Sequence, residues 1–98
     1  MSHIILLSPL AKNDLCAIAE YTMQKWGNNQ ADIYLDKIDK ALLKIQDNPN
    51  IGRVRSDISD RHRSFLMEKH LLVYTVENTE IIISRILHHS RDIKSIIS

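Results

Sequence analysis

Only four residues of this 98-residue chain are natural breakers of regular structure: two prolines and two glycines. Their placement constrains the fold more than any other feature. Pro9, Gly27 and Pro49 bracket two uninterrupted stretches, each long enough for several helical turns, and Gly52 sits in the loop that follows. Ser8 ahead of Pro9 starts a helix, because serine accepts an orphan amide hydrogen bond and proline at the first position loses none. Ala11, Leu15, Ile18, Ala19, Thr22 and Trp26 then recur at helical spacing. Gly27 ends that helix as a left-handed cap. Asn28 or Asn29 is expected to cap the next, whose stripe is Ala31, Tyr34, Leu35, Ile38, Ala41, Leu42 and Ile45. Asp36 and Lys40 form an i,i+4 pair on its wet side. The short connection predicts an antiparallel hairpin of helices near 8–26 and 29–48. Trp26 is expected to plug the core at the hairpin tip. Cys16, the only cysteine, is expected to be a small core residue, and an internal disulfide is impossible.

Past Gly52 the apolar period changes to two. His62–Met67, His70–Val76 and Glu80–Leu87 read as strands, and the polar breaks Glu68-Lys69 and Asn78-Thr79 are short enough for hairpins. Strict alternation in the last strand puts Ile81, Ile83, Arg85 and Leu87 on one face and Ile82, Ser84, Ile86 and His88 on the other. Both faces are mostly apolar, so that strand should be interior, and Arg85 within it needs a partner or an open cleft. His3–Leu7 reads as a further buried strand that must join the sheet. The expected fold is one α+β domain over residues 1–98: a two-helix antiparallel hairpin on one face of a small antiparallel β-sheet, with arginines lining the half-open other face.

Composition is that of an ordinary globular protein, 44% hydrophobic and 26% charged, with a formal net charge of only +1. Such a balance does not advertise nucleic-acid binding. The N-terminus has neither a basic signal region nor a span of membrane length, so a cytoplasmic protein without membrane contact is expected. The halves differ in cation chemistry. All six arginines and four of the five histidines lie beyond Asn48. Arginine is a planar fork suited to carboxylates, phosphates and protein surfaces, which directs attention to the second half. No metal-site spacing and no phosphate-binding glycine loop is present, and no cofactor is expected.

A set of residues in order carries a resemblance: Ser8-Pro9 with Ala11 and Asp14-Leu15; Tyr21 with Trp26-Gly27; Gln30-Ala31 with Tyr34; Pro49 with Gly52-Arg53; Arg63 with Phe65; His70 with Val73-Tyr74; and Arg85-Ile86-Leu87-His88 followed by Arg91-Asp92. Nearly the whole chain resembles the ParE toxins of the ParE/RelE superfamily of toxin–antitoxin modules. The resemblance implies the same α+β fold, a ParD-type antitoxin that folds around the toxin, and poisoning of DNA gyrase by trapping of cleaved DNA. It implies no catalytic residues and no direct recognition of DNA sequence. Arg53, Arg55, Arg63, Arg85 and Arg91 are then the candidate target contacts. Ile33 and Leu43, which fall off the helical stripe, and Ile93, Ile96 and Ile97 of the tail are candidate antitoxin contacts.

The sister RelE branch cuts mRNA on the ribosome, and that is the alternative. Under it Arg53, Arg55, Arg63 and Arg85 would stabilise charge, and His88, His89 or His70 would act as acid or base. No tyrosine follows Arg85, which favours the gyrase branch. A third class is a non-toxic interaction module. Each residue also has a plain structural use: solvated arginines at 53 and 55, an Arg63 clamp to Asp57 or Asp60, a packed strand-end His88.

Overall fold

The computed structural model describes residues 3–97. The elements are β1 (Ile4–Leu7), α1 (Pro9–Trp26), α2 (Asn28–Asp47), β2 (Arg53–Val54), β3 (His62–Met67), β4 (His70–Glu77), β5 (Glu80–His88) and α3 (Ile93–Ile97). The strands form one sheet in the order β1-β5-β4-β3-β2, and the helix hairpin packs on one of its faces. The expected antiparallel meander is present, and the edge strand β1 makes the sheet mixed. β1 pairs in parallel with β5, whereas β2 through β5 are antiparallel. The reason is topological: the two-helix crossover carries the chain to the far edge, and successive reversals bring β5 back alongside β1.

Local chemistry sets the element ends. The Ser8 hydroxyl accepts from the Ala11 amide at 3.0 Å and donates to the Ser84 carbonyl at 2.7 Å, so the helix cap also ties α1 to β5. Gly27 alone joins the helices, at φ 92°, a backbone conformation that favours glycine. It takes the cap position of α2 expected for an asparagine, and no side chain caps that helix.

Ala11, Ile18, Ile38, Ala41 and Ile45 from the helices meet Leu72, Tyr74, Ile81, Ile83 and Ile86 from the sheet. Two helix positions depart from expectation. Trp26 is 62% exposed, because the last turn of α1 overhangs a groove and meets no core there. Cys16 is exposed, being about 200° around the helix from buried Ile18.

A bulge corrects the reading of β5. Val73 pairs with Arg85 and Tyr74 with Ile83, which leaves Ser84 as the extra residue. The strand therefore switches faces midway. Ile81, Ile83 and Ile86 all enter the helix-facing core, and Leu87 turns to the opposite face. There Leu87 packs with Val73 and Ile93, flanked by Ile58, Leu71 and Ile96. α3 thus covers part of the face that arginines were expected to line.

The loop before β2 is fixed by Tyr74, whose buried hydroxyl donates to the Pro49 carbonyl at 2.7 Å and accepts from the Gly52 amide at 2.9 Å. A Cβ on Gly52 would meet the tyrosine ring and hydroxyl at 2.5–2.9 Å, so glycine is required here by close approach.

Candidate functional site

The bulge decides what Arg85 can do. Its guanidinium makes a fork to Asp14 of α1, with hydrogen bonds of 2.8 and 2.9 Å. The same carboxylate accepts the Ile86 amide at 3.0 Å, on β5 beyond the last residue paired with β1. The expected need for a partner is met by a helix–sheet clamp, and the hydrogen bond holds Arg85 firmly in its charged form.

Next to this clamp lies a groove of about 790 Å³ between the helix tip and the ends of β4 and β5. Pairing of β4 with β5 sets His70 opposite His88. Tyr34 of α2 shares a 2.6 Å hydrogen bond with His70 Nδ1. The His70 and His88 rings meet edge to face at 5.5 Å, and His88 stacks on His89 at 4.6 Å. The two adjacent rings can stack because the chain leaves the strand after His88. Burial, then the neighbouring His88, His89 and Lys69, hold the His70 pKa below the ordinary imidazole value. Burial raises that of Tyr34. On the α1 side, Lys25 donates to the Tyr21 hydroxyl at 3.1 Å and lies 5.5 Å and 5.7 Å from the Tyr21 and Trp26 ring centres. Tyr21 and Trp26 are exposed, large and amphipathic, the kind of side chain that dominates binding energy in interfaces.

The remaining arginines go elsewhere. Arg63 donates to the Gly52 carbonyl at 2.8 Å and the Asn50 carbonyl at 3.3 Å, so it clamps the pivotal loop instead of an aspartate. Asp57 belongs to Arg55, which grips it through two hydrogen bonds and also reaches Ser64. Arg53 is exposed on β2. Arg53, Arg55, His89 and Arg91 border a smaller groove of about 470 Å³ on the second face, with Leu66 and Leu71 also lining it. Arg91 borders both grooves; His88 and Arg85 border only the first. The expected target contacts are therefore divided between two surfaces.

The expected antitoxin contacts are divided too. Ile33 and Leu43 are 49% and 58% exposed. They stand ten positions apart on α2, about 15 Å along the axis, and neither lines the main groove. Ile93 is only 3% exposed, buried by α3 against the sheet, and Ile96 is half-buried beside it. The Ile97 side chain lies outside the described residues. Sequence reasoning did not assemble the Tyr21, Trp26, Tyr34 and His70 surface. The signal was present, since all four stand among the residues that carry the family resemblance.

This geometry defines a class: a small α+β domain with a two-helix hairpin on a mixed sheet, presenting an aromatic- and histidine-lined groove. Residues 5–93 match the family model described as ParE toxin of type II toxin-antitoxin system, parDE. A Toxin ParE1 of Mycobacterium tuberculosis is 35% identical over 94 residues, covering 95% of this chain and 96% of the relative. A Toxin ParE1 of Caulobacter vibrioides is 29% identical over 89 residues, covering 91% and 92%. The solved structure of a chromosomal ParDE TA system from P. aeruginosa superposes with a TM-score of 0.77 at 23% identity, over 88% of this chain and 95% of that one. The chain belongs to the ParE toxin family of type II toxin–antitoxin systems.

Proposed function

We propose that this chain arrests growth by binding DNA gyrase and stabilising its cleaved DNA complex, and that a ParD-type antitoxin neutralises it in the cytoplasm. The observation that carries the non-catalytic reading is the engagement of three of its four candidate charge-stabilising arginines within the fold. Cleavage of RNA needs a base, an acid and a charge stabiliser converging on one phosphate. Here Arg85 is committed to Asp14 and Arg63 to loop carbonyls. Arg55 is held by Asp57, which leaves Arg53, exposed in a groove that it shares with His89 and that lies apart from His88. The family and its relatives' names support a toxin, and the ParDE structural neighbour supports the fold in which an antitoxin is engaged. Exposed Arg53 and Arg91 are the arginines best placed to contact gyrase. Ile33 and Leu43 are exposed apolar side chains of α2 that an antitoxin segment can cover.

The ribosome arm tests this reading. Purified chain added to translating ribosomes should leave the message intact. His88→Ala and His89→Ala should weaken growth inhibition only modestly, because losing one contact removes only that contact's share of binding. Site-specific message cuts that vanish with either variant, a loss on the order of 10²–10⁴ in rate, would overturn it.

A further inference from the structure

The main groove carries an unbalanced charge. On α1, Asp14 is bound to Arg85, while Lys25 has Tyr21 and Trp26 as its neighbours. On α2, Tyr34 is held by His70. In the β3–β4 turn, Glu68 is engaged by Lys37 at 2.7 Å, and Lys69 is exposed. On β5 and just after it come His88, stacked on His89 of the second groove, and exposed Arg91. Both carboxylates that border the groove are thus already paired. Among the described residues Lys25, Lys69 and Arg91 make no ion pair.

We infer that this groove takes an acidic segment of the antitoxin, that a carboxylate of that segment sits against the His70–His88 pair, and that docking takes up a proton there. The inference rests on the antitoxin reading above and adds the chemistry and pH dependence of the contact. Burial and the surrounding positive groups oppose a charge on the His70 ring in the unbound protein. An incoming carboxylate offsets those positive groups and favours the charged ring, so the ring gains a proton as the segment docks. Linkage then requires that affinity rise as pH falls through the interval between the unbound and bound pKa values. The exposed faces of Tyr21 and Trp26 supply the apolar half of the contact, which suits an amphipathic acidic segment. A purely apolar segment would cover the same aromatics and move no proton.

Titration calorimetry of the full chain with its purified full-length ParD-type antitoxin reads this directly. Runs in buffers of different ionisation enthalpy, from about pH 5.5 to about pH 8, give protons taken up and affinity together. Net uptake is expected, with affinity changing by up to about tenfold per pH unit for each linked proton. His70→Asn keeps a polar group near the Tyr34 hydroxyl and removes the titrating ring, so the complex should form with reduced uptake. His88→Asn, judged for folding by circular dichroism alongside it, removes the ring that meets His70 and should also reduce the uptake; it carries the test if the first variant does not fold. Tight binding with no proton uptake, or uptake unchanged in the folded variants, overturns this inference and leaves the antitoxin reading standing. No binding at any pH overturns both.

Discussion

At the scale of single residues, Asp14 does more than any sequence pattern announced. One carboxylate neutralises Arg85, occupies the Ile86 amide and joins α1 to β5. The pair is one-fifth exposed or less, so its removal falls between the surface and fully buried cases. Asp14→Ala should destabilise the chain by about 2–3 kcal/mol in urea denaturation. A change below about 0.5 kcal/mol would show the clamp to be incidental. The histidines give a second residue-scale expectation. His62 and His70 both have folded-state pKa values depressed, chiefly by burial. The unfolded chain therefore binds more protons than the native one in that range. The stability they contribute is complete above the ordinary imidazole pKa of about 6.5 and is lost as pH falls through the depressed values. Denaturation midpoints measured from about pH 7.5 to about pH 5 should fall, and His70→Asn should flatten the slope.

At the scale of elements, α1 shows where periodicity stops being informative. Its stripe from Ala11 through Ile18 packs as spaced, yet Trp26 on the same stripe stands in solvent at the groove's rim. Periodicity reports which side of a helix faces inward, not how far the sheet extends beneath it. Trp26→Ala should therefore change unfolding free energy by less than about 1 kcal/mol, where a buried tryptophan would lose about 3–5 kcal/mol. A large loss would return Trp26 to the core. The strands follow the same logic. β3 begins and ends where its alternation predicted, at His62 and Met67, and the helix hairpin matches its expected span within a residue or two. β5 carried a bulge at Ser84 that alternation cannot register, because one extra residue inverts every face assignment after it. That inversion is why Ile86 was assigned to the wrong side from the sequence and why Arg85 could be flagged as needing a partner without Asp14 being named. The parallel pairing of β1 was likewise illegible, since a four-residue apolar strand carries no mark of direction.

At the scale of the molecule, Arg55, Arg63 and Arg85 are engaged within the fold, and that engagement favours recognition over catalysis. The main groove joins exposed aromatic rings to His70 and His88, while the second joins arginines and His89 to a patch beside α3. The most direct measurement combines purified chain with gyrase, ATP and supercoiled plasmid, and counts DNA breaks after detergent and protease treatment. Broken DNA should accumulate with toxin concentration, and a stoichiometric excess of the antitoxin should abolish it. Intact plasmid at every toxin concentration, under conditions where the same preparation stops growth or cuts ribosome-bound message, would contradict the account.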